Sequence, residues 1–122
     1  MDNKEFSKGL ELRTKKFAIS ILKLSAQLPY SVESKVIRNQ ISKSGTSVGA
    51  NYREANRSRS KPDFANKIKI AESEASETIY WLEIIQEMEW IAEFKLVDIM
   101  KEANELLAIF TSISKNLKQQ SS

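Results

Sequence analysis

The side chains that carry most protein chemistry are missing here. The 122 residues include no cysteine and no histidine. That excludes disulfides, thiolate zinc sites, imidazole ligands and any Cys–His or Ser–His nucleophile pair. Carboxylates remain. Glu54, Glu74 and Glu77, with Asn51, fall where helices would carry them inward. Inward carboxylates hold paired metals in bundles when Glu is joined by Glu-x-x-His, and no such His exists here. The expectation is instead a charge-paired structural network drawing on Arg13, Arg38 and Arg53, because a buried carboxylate without a cation costs several kcal/mol. Ser44 and Ser47 have no base beyond lysines, and no glycine-rich phosphate loop is present. The residues point to a non-enzymatic protein with no metal and no cofactor.

The chemistry left is that of charge. Arg53, Arg57, Arg59 and Lys61 cluster at one expected turn, followed by Lys67 and Lys69. Lys8, Lys15, Lys16 and Lys23 fall on one side of the first helical segment. Together these could neutralise several phosphates of RNA or DNA. The plainer reading is a solvated helix face, since no aromatic is interleaved as a stacking platform. The net charge of +3 conceals an asymmetry. Residues 1–69 hold 15 Lys/Arg and 6 Asp/Glu, a net of +9, whereas residues 70–122 hold 4 and 10, a net of −6. The basic half has either an anionic partner or an acidic neighbour in the same chain or another subunit.

Four apolar periodic segments must position these groups. Three glycines and two prolines in a chain rich in Ala, Leu, Ile, Glu and Lys are a helical composition. The first helix is expected over about 6–27, with Phe6, Leu10, Phe17, Ile21, Leu24 and Leu28 on one stripe and Pro29 ending it. The second, about 33–57, carries Ile37, Ile41, Ser44, Val48, Asn51 or Tyr52, and Ala55. Its middle holds Gly45 and Gly49, which mark either a break or a close-approach surface; we read one continuous helix. The third, about 61–89, opens on Ser60, Pro62 and Asp63, an N-terminal signature, and faces inward with Phe64, Ile68, Ala71, Ala75, Thr78, Leu82 and Ile85. The fourth, about 93–118, alternates 3 and 4 through Leu96, Ile99, Ala103, Leu106, Phe110, Ile113 and Leu117. Connections of a few residues force antiparallel neighbours. The expected fold is all-α: one domain, 1–122, forming an antiparallel up-down-up-down four-helix bundle. No apolar run approaches a membrane span and the N-terminus lacks a signal-peptide core, so a cytoplasmic location is expected.

The third segment has a second apolar stripe. Ile70, Trp81, Ile84 and Met88 lie about 130° from its core stripe at about 100° per residue, with Glu74 and Glu77 in the same register. One reading is a wide core edge. The other, which we favour, is an oligomer interface.

The stretch IRNQISKSGTSVGANYREANRSRSKPDFANKIKIAESEASE carries Gln40, Ser44, Ser47, Val48, Asn51 and Glu54, then Ala71, Glu74, Ala75, Ser76 and Glu77. This pattern resembles the 23S rRNA intervening-sequence proteins, and the likeness spans nearly the whole chain. It departs at Ala55, where the family usually has Gly, and at Ser73–Glu74, where it tends to have Gly-Ser. The resemblance implies a left-handed antiparallel bundle and a ring-shaped homo-oligomer, plausibly a pentamer, with Gln40, Ser44, Ser47, Asn51, Glu54 and Glu77 as structural motif residues. It also implies kinship with accessory proteins of reverse transcriptases in diversity-generating retroelements, whose basic surface is thought to hold nucleic acid. Two functions are carried forward: a basic oligomer that binds RNA or DNA beside another enzyme, and a protein-interaction scaffold whose charges serve only its own assembly.

Overall fold

The computed structural model describes residues 3–121, all but a few of them helical. The described residues form α1 (Asn3–Ser25), α2 (Val32–Ala55), α3 (Lys61–Glu87) and α4 (Glu93–Ser121). The expected helices are all present, with ends displaced by two or three residues. Glycines 45 and 49 do not interrupt α2. Each helix packs against its neighbours in the order α1, α2, α3, α4, and α4 closes back on α1 less extensively; α1 and α3 make no contact. Turns of five or six residues join packed successive helices, so the chain runs up, down, up, down.

The boundaries follow from local chemistry. The Ser31 and Ser60 hydroxyls accept hydrogen bonds from the amides of Ser34 and Asp63, capping α2 and α3. At the end of α1, Arg38 reaches back from α2 and donates to the carbonyls of Ser25 (3.1 Å) and Leu28 (2.8 Å), satisfying acceptors that the helix leaves open. The end of α3 is a Schellman turn: the amide of Trp90 bonds to the carbonyl of Ile85, that of Glu89 to Gln86, and Glu89 has φ 56°. Glutamate sits where glycine is the usual choice. Glu89→Gly is expected to stabilise the chain by about 0.5–1 kcal/mol, relief of left-handed strain outweighing the looser unfolded chain. A thermal melt at neutral pH measures it.

The core takes Leu10, Phe17, Ile21, Leu24 and Leu28 from the first segment, Ile37, Ile41, Val48, Tyr52 and Ala55 from α2, Ile68, Ala71, Ala75, Leu82 and Ile85 from α3, and Leu96, Ile99, Ala103, Leu106 and Phe110 from α4. Tyr52 rather than Asn51 completes the α2 stripe, its ring edge-on to Phe110 at 5.5 Å. Phe6, expected in the stripe, is 43% exposed, because α1 there extends past the partners that would cover it. Ile113 and Leu117, near the far end of α4, are half-buried for the same reason. The seven-residue gap between Leu10 and Phe17 is filled by Thr14, fully buried with its hydroxyl bonded to the carbonyls of Leu10 and Glu11. Between α2 and α3, Thr78 donates to Ser44 across the core at 2.8 Å.

The small residues of α2 let α1 approach closely. A Cβ built at Gly45 would stand 2.7 Å from a methyl of Ile21 and 3.0 Å from its Cβ. One built at Gly49 would stand 2.9 Å from the Thr14 hydroxyl and 3.3 Å from the Thr14 backbone.

Candidate assembly and nucleic-acid surfaces

The α2–α3 turn displays Arg57, Arg59 and Lys61, all exposed and without a side-chain ion pair among the described residues. The turn is held by amide bonds from Arg57 to Glu54 and from Ser58 to Ala55, with the Ser58 hydroxyl also on Ala55. Its neighbours are less free. Lys67 binds Glu54 at 2.8 Å and holds that carboxyl below its ordinary pKa. Arg53 stands 4.0 Å from Glu11, whose carboxylate also accepts from Asn56 at 2.9 Å. A shallow depression beside the turn is lined by Arg57, Arg59 and Lys67, but also by Glu54 and Asp63.

The topology sorts the lysines of α1. Lys8, one turn before Glu11, belongs to the same end of the bundle as Arg53, Arg57, Arg59 and Lys61. Lys23, near the end of α1, belongs to the opposite end, and Lys15 and Lys16 lie midway. The eight basic residues therefore do not form one patch. Lys16, Lys23 and Lys95 instead flank a groove of about 430 Å³ between α1 and α4, floored by Phe17, Leu24 and Ile99.

The carboxylates do not form the expected network. Glu54 is exposed on Lys67, and no three metal-ligating side chains converge among the described residues. The arginines serve other ends. Arg13 takes both oxygens of Glu102, at 2.6 and 2.7 Å, and Glu105 at 3.0 Å, tying α1 to α4 and raising its own pKa through the Glu102 hydrogen bond. Arg38 caps α1 and lies over the Tyr30 ring. Glu72 accepts from Thr111 and Ser114, joining α3 to α4. Sequence spacing could not reveal these pairings, since each crosses between helices whose relative rotation is set by packing.

The motif residues divide between roles. Ser44 is in the core; the Ser47 hydroxyl and the Asn51 amide donate to the α2 carbonyls of Lys43 and Ser47; Gln40 is exposed. On the second stripe of α3, Trp81 and Ile84 are half-buried against the core edge, Ile70 is half-buried, and Met88 is 50% exposed. Trp81 donates to Glu77 at 3.3 Å, and the Tyr80 ring stands edge-on to it at 5.1 Å. Partial burial raises the pKa of Glu74, the charge of Glu77 raises it further, and Lys43 opposes both. Two like charges on a half-apolar helix face are left for something to neutralise.

One feature of α1 escapes a core-stripe reading. Leu12, Ile19 and Leu22 are 54%, 44% and 46% exposed. Their spacing of 7 and 3 is itself a helical stripe, lying among Lys8, Lys15, Lys16 and Lys23 on the side away from the core.

A four-helix bundle with a close-packed α1–α2 seam and one strongly basic turn is the class that fold and surface define. The sequence pattern of the family described as 23S rRNA-intervening sequence protein matches residues 12–112, and the chain belongs to that family. A crystal structure of a protein of unknown function from the S23 ribosomal protein family of Bacteroides thetaiotaomicron is similar, with 38% identity, 86% of this chain and 97% of that chain covered, and a TM-score of 0.80. No curated protein matches the sequence. Among the described residues, no helix is long and apolar enough to cross a membrane.

Proposed function

We propose that this protein is a non-enzymatic, self-associating helical bundle that binds the phosphate backbone of RNA or DNA at its basic end, beside another enzyme or nucleoprotein in the cytoplasm. The observation that carries the reading is the exposure of Arg57, Arg59 and Lys61 on one rigid turn, with no internal carboxylate paired to them. Phosphate is the ligand class that rewards clustered, unpaired cations. The family's link to 23S rRNA intervening sequences agrees with a nucleic-acid setting. Self-association, plausibly as a pentameric ring, would cover the α3 stripe of Ile70, Trp81, Ile84 and Met88.

The test is a gel shift with unrelated RNA and DNA sequences at two salt concentrations. Affinity is expected to fall by about 0.7–0.9 log units per log unit of salt for each phosphate neutralised. Reversing Arg57, Arg59 and Lys61 together should weaken all sequences about equally, because phosphate contacts carry no sequence information. Unchanged binding by the triple variant would remove the turn from the site. Absence of binding at low salt would favour the scaffold reading, which has its own support: Arg53 and Lys67 are already engaged by Glu11 and Glu54.

A further inference from the structure

We infer that the outward face of α1 is the docking surface for the outward face of α3 of a second copy of this chain, so that Lys15, Lys16 and Lys23 serve assembly and not phosphate. The inference rests on the self-association proposed above and names its second half. A stripe on α3 needs a counterpart, and three observations select α1.

The first is exposure. Leu12, Ile19 and Leu22 form a continuous apolar stripe on the side of α1 that no helix of its own chain covers. The second is charge. That stripe is flanked by Lys15, Lys16 and Lys23, without ion pairs among the described residues, while the α3 stripe carries Glu74 and Glu77. Complementary potentials of this kind fix register and exclude wrong partners.

The third is height along the bundle. The close approach of Gly45 to Ile21 puts those residues level, and the Thr78–Ser44 bond does the same between α2 and α3. Ile21 and Thr78 therefore stand at about one height. Helices α1 and α3 run in the same direction and rise equally per residue. Leu12 is then near the height of Ile70, Lys16 near Glu74, Ile19 near Glu77, and Leu22 and Lys23 near Trp81. Two copies placed side by side, with no slide along the axis, bring apolar to apolar and lysine to glutamate.

Because α1 and α3 lie diagonally and do not touch, their outer faces point away from each other. They cannot mate within one chain. Each copy offers α1 to one neighbour and α3 to the other, a heterologous contact that closes into a ring or continues as a fibre.

Light scattering tests this on the full chain, with circular dichroism to confirm the helices. Lys15→Glu with Lys16→Glu should lose association and run near the 13.9 kDa of one chain. Glu74→Lys with Glu77→Lys should do the same. An equimolar mixture of the two variants, or one chain carrying all four changes, should recover it. An unchanged mass for the lysine pair overturns the inference, and if Trp81→Glu still dissociates the protein, association through α3 survives with a different counterpart. Failure of the four-substitution chain to recover also overturns it. So does a lysine-pair variant that keeps its mass but loses nucleic-acid binding, which would return those lysines to the phosphate site. A wild-type chain that is monomeric at every concentration removes the association itself.

Discussion

Leu82→Glu is expected to unfold the bundle, while Trp81→Glu, one residue earlier, is expected to leave most of the helix content intact. Leu82 is fully buried at the centre of α3. The substitution removes an apolar side chain worth about 2–5 kcal/mol in a packed core. It also places a carboxylate there with no cation to pair with, a further cost of about 3–5 kcal/mol. The sum rivals the entire stability of a domain of this size, about 5–15 kcal/mol. The far-ultraviolet dichroism of the variant should collapse at room temperature or survive only as a broad, low transition. Trp81 lies half-buried at the core edge, 100° further round the helix, with its indole nitrogen on Glu77. Replacing it costs packing at an edge that water can reach, so the monomer should persist with a lowered melting temperature. The solution mass of that variant should fall relative to wild type. A mass equal to wild type would leave the α3 stripe as a core edge and nothing more.

The second large effect belongs to a residue without a side chain. Gly45→Val is expected to destabilise the protein by about 3 kcal/mol or more. Alanine in place of glycine within a helix ordinarily gains about 1 kcal/mol. Here the added Cβ would lie 2.7–3.0 Å from three atoms of Ile21, including its Cβ. Ile21 is fully buried and has no free space to rotate into, so α1 as a whole must move away from α2. Overpacking of this kind costs about 1–3 kcal/mol for each forced insertion, and valine adds two more carbons to the overlap. Combining Gly45→Val with Ile21→Ala should recover part of the loss, because the small residue has then moved to the other helix. Urea denaturation of the two single variants and the double variant measures this coupling. Strict additivity would mean that the α1–α2 spacing is not set at this contact.

Helix number, order and inward faces were legible because a 3.6-residue period leaves a trace in any helix buried on one side. Leu96 through Phe110 and Ile68 through Ile85 fixed the inner faces of α4 and α3 without reference to any neighbour. Ser31, missed as a cap, and Glu89, which ends α3 without a glycine, shifted helix ends by a turn or less because such ends depend on single hydrogen bonds. The basic turn was also readable, since Arg57, Arg59 and Lys61 are adjacent in sequence. What one segment cannot encode is its rotation against another. The pairing of Arg13 with Glu102, 89 residues away, and of Lys67 with Glu54 in place of a Glu54–Glu74–Glu77 network, exist only once the helices are packed. The same holds for surface position. Sequence grouped Lys8, Lys15, Lys16 and Lys23 with the arginines of the turn; the up-and-down topology left Lys8 with them and set the others along the bundle, among the exposed Leu12, Ile19 and Leu22. Periodicity tells which side of a helix is apolar, but only the tertiary arrangement decides which apolar side remains in water.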